Sequence, residues 1–116
     1  MQNSELEKSK KLILIEIIEY VPDSVATKTI IKKNTGNISV IAIDTGKSLE
    51  ERISPFDTFI QIIEGVAEVV IDEKSNMLKT GEGIIIPAHT SNNVKAGKRF
   101  KMISIIIKSG YEAISV

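Results

Sequence analysis

The sequence predicts an all-β domain built as an antiparallel sandwich or barrel, and three observations support this class. Isoleucine accounts for 22 of the 116 residues, and β-branched side chains favour pleated, half-buried surfaces. Short apolar runs recur roughly every 8–12 residues and are separated by Gly, Asn, Asp and Pro, the spacing of sandwich and barrel strands. Several runs alternate between apolar and polar residues, as a strand with one buried face does. A chain of this length is expected to form one domain.

The N-terminal segment departs from this pattern and predicts a short helix within 5–20. The stretch SELE at 4–7 has the spacing of a capping box, S-x-x-E. Glu16 and Glu19 are three positions apart, which suits one face of a helix. Pro22 would then end the helix at the residue before it. A strand is the alternative, because LILI at 12–15 is short and rich in branched side chains.

Nine strands are predicted after this segment. The apolar runs cover residues 24–33, 37–44, 49–54, 57–64, 66–72, 75–79, 83–87, 90–95 and 100–108. The run KMISIII at 101–107 is apolar on both faces, so we expect the core to cover one face and a helix or a second chain to cover the other. We therefore divide the chain into an N-terminal segment (1–22), a barrel (23–110) and a C-terminal tail (111–116).

Composition and charge exclude several classes of partner. Fifteen basic residues balance fifteen acidic residues, so the chain shows no electrostatic footprint for nucleic acid or an anionic membrane. The absence of cysteine excludes disulfides, thiol nucleophiles and thiolate metal sites. The apolar stretch at 12–21 is too short to span a bilayer and carries two glutamates. No secretory signal precedes it, so we expect a soluble cytoplasmic protein.

Two stretches of the sequence resemble the paired motifs of the cupin family. The first is TGKSLEERISPFDTFIQIIEGVAEVVID at 45–72, in which Gly46 precedes one strand and Gly65 follows the next. The second is LKTGEGIIIPAHTSNNVKA at 78–96, in which glycine and proline are separated by five residues. The likeness covers about residues 20–108. It implies a cupin-type double-sheet jelly roll with a pocket inside the barrel, and a homodimer, since small cupins commonly pair their sheets.

The resemblance also implies that the metal ligands of the family have been replaced. In the first motif, G-x5-H-x-H-x(3,4)-E-x6-G, the histidines fall on Arg52 and Ser54 and the glutamate falls on Thr58. In the second motif, G-x5-P-x-G-x2-H, the histidine falls on Asn92 and the second glycine falls on His89. Transition metals prefer imidazole, thiolate and carboxylate ligands. We therefore expect a barrel without a metal or other cofactor.

The candidate ligand-binding residues are Arg52, Ser54, Thr58, His89 and Asn92. Hydroxyl and amide groups at one end of an isoleucine-lined pocket favour a small amphipathic ligand. If Arg52 points into the barrel, its guanidinium needs an acceptor, which a small carboxylate or phosphate could supply. Alternatively, Arg52 pairs with a neighbouring acid or extends out of the barrel mouth. The prediction is a small-molecule-binding cupin without turnover.

An enzyme is the alternative function. The wider cupin group includes metal-dependent dioxygenases and metal-free sugar epimerases, and the epimerases use a histidine base with a tyrosine acid. In this chain Tyr20 and Tyr111 lie outside the matched core, so the pair is unsupported. His89 is then interpreted as a turn residue at the barrel rim, after Pro87, rather than as a base.

A small basic cluster surrounds AGKR at 96–99. It comprises Lys95, Lys98, Arg99 and Lys101. We predict a solvated hairpin end for all four residues.

Overall fold

The computed structural model describes residues 5–108, and nine strands form within this range. They are β1 (Val25–Lys33), β2 (Gly36–Ile43), β3 (Ser48–Ile53), β4 (Thr58–Glu64), β5 (Val66–Ile71), β6 (Lys74–Lys79), β7 (Gly83–Ile86), β8 (Ser91–Lys95) and β9 (Phe100–Ile107). Every strand begins and ends within one residue of the predicted run. The predicted tail at 111–116 lies outside the described residues.

The strands form two antiparallel sheets that pack face to face as a jelly roll. The five-stranded sheet has the order β1-β2-β9-β4-β7, and the four-stranded sheet has the order β3-β8-β5-β6. The chain changes sheet at every connection from β2 to β9 except the β5–β6 hairpin. The all-β jelly-roll prediction is confirmed.

The core lies between the two sheets and is built by the alternation read from the sequence. In β4, Thr58, Ile60 and Ile62 are buried, whereas the intervening Phe59 is exposed on the outer face. Side chains from both sheets complete the cluster: Ile41, Ile43, Ala67, Val69, Leu78, Ile86, Val94, Ala96, Phe100 and Met102. Branched side chains in two opposed pleated layers fill this space without aromatic stacking.

The predicted N-terminal helix is wrong. Between residues 5 and 24 the chain forms turns, and a single α-helical turn closes where the Ile17 N–H donates to the Ile13 carbonyl at 3.2 Å. Branched isoleucines have modest helix propensity, and tertiary packing decides the conformation. Adjacent residues Ile17 and Ile18 both pack against the sheet, which a helical arrangement with a 3.6-residue period would not allow as readily.

This N-terminal segment covers part of the outer face of the five-stranded sheet. Ile18 is buried there with Val40 and Ala42 of β2, and Ile63 of β4 packs against the same cluster. The segment therefore supplies a second, smaller core outside the barrel. A coil of this chain, rather than a helix, covers part of the second face of the sheet.

Candidate functional site

Two loops meet at one end of the barrel, which we call the mouth. The β3–β4 loop (54–57) and the β7–β8 loop (87–90) are joined by a hydrogen bond from the His89 N–H to the Ser54 carbonyl at 2.6 Å. The Ser54 hydroxyl accepts the Phe56 N–H at 3.1 Å, so it forms a local turn. His89 is exposed and has a φ of 63°. Its place in the loop is that of a turn residue at the rim.

Asp57 also holds the mouth together, and the sequence analysis did not single it out. Its carboxylate accepts the Ala88 N–H at 2.8 Å, across the two loops. An aspartate at the end of the turn sequence SPFD is the available signal, because short acidic side chains commonly satisfy loop N–H groups. The shape of the mouth therefore depends on main-chain contacts and on the Asp57 carboxylate, in addition to the Ser54 hydroxyl.

Asn92 is the most deeply buried of the candidate residues, with 6% of its surface exposed. Its amide Nδ2 donates to the carbonyls of Arg52 at 3.3 Å and Thr90 at 3.4 Å. Because both partners can only accept, these contacts fix the orientation of the amide. The Oδ1 atom is buried and has no hydrogen-bond partner among the described residues. A buried acceptor without a partner costs about 1–3 kcal/mol. The Oδ1 atom of the next residue, Asn93, is buried without a partner in the same way.

The other candidate residues lie around Asn92 at different depths. Arg52 is directly opposite Asn92 in the β3–β8 register, and its side chain is exposed. This matches the alternative in which the guanidinium extends out of the mouth. Thr58 is buried at the start of β4, in the opposite sheet. The structure thus brings Arg52 to Asn92 and Ser54 to His89, and it places Thr58 on the facing layer.

Lys101 contradicts the prediction of a solvated hairpin end. It is 8% exposed, its Nζ donates to the Ile15 carbonyl at 2.6 Å, and it lies 3.9 Å from the Glu64 carboxylate. Tyr20 donates its hydroxyl to the same carboxylate at 2.8 Å. Burial and this acidic partner both raise the pKa of Tyr20, so the phenol stays protonated. The prediction is wrong for Lys101, because the N-terminal segment covers it, whereas Lys95, Lys98 and Arg99 are exposed.

The glycines that the motifs share are required by the backbone. Gly46, Gly65 and Gly81 all have positive φ, at the β2–β3, β4–β5 and β6–β7 turns. At Gly65 a Cβ atom would also lie 2.9 Å from the Arg99 carbonyl oxygen. A two-sheet jelly roll with glycines at these turns is the fold that the resemblance to cupins implies.

Solved structures agree with this class. A conserved protein of unknown function from Streptococcus pyogenes is 27% identical, with a TM-score of 0.85 over 96% of this chain and 95% of its own. A cupin superfamily protein from Desulfitobacterium hafniense is 24% identical, with a TM-score of 0.83 over 92% and 98%. A cupin 2 conserved barrel domain protein from Leptotrichia buccalis is 26% identical, with a TM-score of 0.79 over 82% of this chain and 46% of its own. These neighbours support the cupin superfamily as the class of this protein.

Two further comparisons find no relatives: no family model matches the sequence, and no curated protein does. Among the side chains that the structure describes, which are those of residues 5–108 except Glu51, no three His, Cys, Asp or Glu come together as metal ligands would. No helix in that range is long and apolar enough to cross a membrane.

Proposed function

We propose that this protein is a small cupin that binds a small molecule at the mouth of its barrel, without a metal. The observation that carries the proposal is the Asn92 amide, which is buried, fixed by two carbonyls and left with an unpartnered Oδ1 atom. Natural proteins satisfy most buried polar atoms. A ligand that donates a hydrogen bond would satisfy this one.

The surroundings of Asn92 define the chemistry of that ligand. It needs an N–H or O–H group for Oδ1 and a small apolar body to cover Ile71, which is half-buried and lies opposite Asn92 in the β5–β8 register. Arg52, exposed beside Asn92, offers an additional charged contact to a carboxylate at the mouth. A small hydroxy acid or N-acyl amino acid combines these features.

Replacement of the ligand set supports binding without a metal. The four positions that match the metal ligands of the family hold Arg52, Ser54, Thr58 and Asn92. None is a histidine, cysteine or carboxylate, and a guanidinium beside the site repels a divalent cation.

The test is a thermal-shift panel of lactate, malate, gluconate and N-acetylglycine on the parent protein and on Asn92→Leu. A ligand at one hundred times its Kd stabilises the folded state by about 2.7 kcal/mol, and we expect Asn92→Leu to abolish this shift. The substitution itself is expected to be neutral or to stabilise the unliganded protein by up to about 1 kcal/mol, because it removes a half-satisfied buried amide.

Asn93→Leu is the matched control, because the Asn93 Oδ1 atom is also buried without a hydrogen-bond partner, whereas its side chain projects to the opposite face of the sheet from Asn92. It should keep the ligand shift. Stoichiometric iron, nickel, zinc or manganese in protein purified without chelator would contradict the metal-free part of the proposal. A panel without effect, together with protein from cells that carries no small molecule by native mass spectrometry, would contradict the binding part.

We also propose that the protein is a homodimer, paired through the outer face of the five-stranded sheet that the N-terminal segment leaves uncovered. Phe59, Ile85 and Ile107 are exposed there, and Phe59 lies opposite Ile85 in the β4–β7 register. Contiguous exposed apolar groups are typical of interaction surfaces. Sedimentation equilibrium should give twice the chain mass for the parent and the chain mass for Ile85→Lys. A monomeric parent at micromolar concentration would contradict the proposal.

A further inference from the structure

A second cavity lies at the end of the barrel opposite the mouth, on the outside of the four-stranded sheet. We call it the hairpin groove, and its volume is about 670 Å³. Val66 and Met77 form its apolar part, Lys98 and Arg99 its cationic part, and Glu68 its acidic part. Gly65 and Gly97, which have no side chains, complete the lining at the β4–β5 and β8–β9 turns.

The floor of the hairpin groove is apolar and open to solvent. Met77 is 63% exposed, and Val66, on the adjacent strand β5, is also largely exposed. Methionine adapts its shape to different apolar partners. Exposed apolar side chains in a concave surface can gain free energy by covering an apolar ligand group.

Arg99 is held in position at the edge of this floor. Its guanidinium lies over the Tyr20 ring, 4.5 Å from the centroid, and its own N–H donates to the Thr45 hydroxyl at 3.2 Å. Tyr20 is in turn anchored by its hydrogen bond to Glu64. The stacked aromatic ring uses the face of the guanidinium and leaves the N–H groups on its edge available.

No acid in the described range neutralises this guanidinium by direct pairing. The pKa of Asp44 is lowered mainly by hydrogen bonds from the Asp23 and Thr45 N–H groups. The charge of Arg99 lowers this pKa further, but to a smaller extent. Arg99 forms no ion pair with any side chain that the structure describes. A planar guanidinium with unpaired edges is the side chain best suited to hold a carboxylate through two hydrogen bonds.

The remaining charges of the hairpin groove favour an anion. Lys98 is exposed beside Arg99 and adds a second positive charge. Glu68 opposes them, but its carboxylate accepts the Ser75 hydroxyl at 2.6 Å and lies opposite Lys95 in the β5–β8 register. The local balance is therefore positive, although the whole chain is neutral.

We propose that the hairpin groove binds a small amphipathic carboxylate. Its apolar part covers Val66 and Met77, and its carboxylate accepts hydrogen bonds from Arg99 with support from Lys98. This site lies at the opposite end of the barrel from Asn92, and it does not depend on the ligand proposed there.

Octanoate is the probe, and the methionine methyl groups report its binding. In protein labelled with ¹³C at the methionine methyls, titration should shift the Met77 signal in a saturable manner. The Met102 signal should stay in place, because this residue is fully buried in the core. Octanol, which has the same apolar chain without the charge, should bind about tenfold or more weakly, the scale of a lost charge-assisted hydrogen bond.

Lys74 provides the matched control for the variant test, because it is an exposed cation on β6, the strand that carries Met77, at the end of the sheet away from the hairpin groove. Arg99→Gln should weaken octanoate binding about tenfold or more, whereas Lys74→Gln should leave it unchanged. Lys98→Gln, which leaves the Tyr20 contact intact, should weaken it about threefold and serves if Arg99→Gln fails to fold. The proposal is overturned if Lys74→Gln weakens binding as much as Arg99→Gln, if octanol binds as tightly, or if the Met77 methyl does not move up to about 10 mM octanoate.

Discussion

Gly65→Ala is expected to destabilise the protein by about 3–4 kcal/mol in urea unfolding. Two effects add at this position. A residue with a side chain costs about 1–2 kcal/mol in the left-handed region, and Gly65 has a φ of 94°. The new Cβ would also lie 2.9 Å from both the Arg99 carbonyl oxygen and the Phe100 Cβ atom, so main chain rather than a flexible side chain would have to move.

The surroundings of Gly65 limit how far the turn can relax. Its N–H donates to the Thr80 hydroxyl at 3.0 Å, and that hydroxyl donates to the Gly65 carbonyl at 3.2 Å. Phe100 is itself fully buried in the core. Relief of the clash would therefore disturb a neighbouring turn or the core, which is the usual origin of overpacking costs of about 1–3 kcal/mol.

Gly81→Ala is the matched control for the backbone effect alone. Gly81 has a φ of 92°, and a Cβ atom there would have no atom within 4 Å. We expect it to cost only about 1–2 kcal/mol. Equal losses at the two glycines would show that close approach at Gly65 contributes nothing.

Ile18→Ala is expected to destabilise the protein by about 2–4 kcal/mol, the range for truncation of a buried branched side chain. Ile18 is 6% exposed and packs with Val40 and Ala42 on the outer face of the five-stranded sheet. Its removal would leave a cavity between the N-terminal segment and the barrel. Because the segment and the barrel share this cluster, the loss should appear in the global unfolding transition followed by circular dichroism.

The control comes from the same segment and the same residue type. Ile13 is 50% exposed, so Ile13→Ala should change stability by no more than about 0.5 kcal/mol. If Ile18→Ala caused as small a change, the N-terminal segment would be an appendage to the barrel. If both substitutions were costly, the exposed face of the segment would have an additional partner, such as a second copy of the chain.

The strands could be predicted from the sequence because their determinants are local. Alternation in β4, with Ile60 and Ile62 inward and Phe59 outward, follows directly from the order of residues. Glycines in left-handed turns mark where strands end. The motif spacing also brought Arg52 and Asn92 to neighbouring positions, as the β3–β8 register has them.

Features that depend on distant parts of the chain could not be predicted. Lys101 contacts Ile15, 86 positions away in sequence, and no local pattern distinguishes it from the exposed Lys98. The N-terminal segment has an apolar pattern compatible with helix or strand. Packed against the sheet, it forms turns instead of either element. The unpartnered Oδ1 of Asn92 is likewise a property of the packed site, since the sequence identifies only an amide at the position that the second motif aligns with a histidine.

The hydrogen bonds of residues 5 and 6 have a consequence for aggregation. Strand β1 is the edge of its sheet, and an open edge can template fibril growth by accepting another strand. The Leu6 N–H donates to the Ile30 carbonyl at 3.2 Å, and the Glu5 carboxylate accepts the Lys32 N–H at 2.7 Å. The hydrogen bond from the Lys32 N–H is the main cause of the lowered pKa of Glu5. The contact therefore stabilises the folded state at neutral pH and is lost in acid, when the carboxylate is protonated. Residues 5 and 6 thus occupy part of the open edge of β1, which disfavours edge-to-edge association of sheets from different molecules.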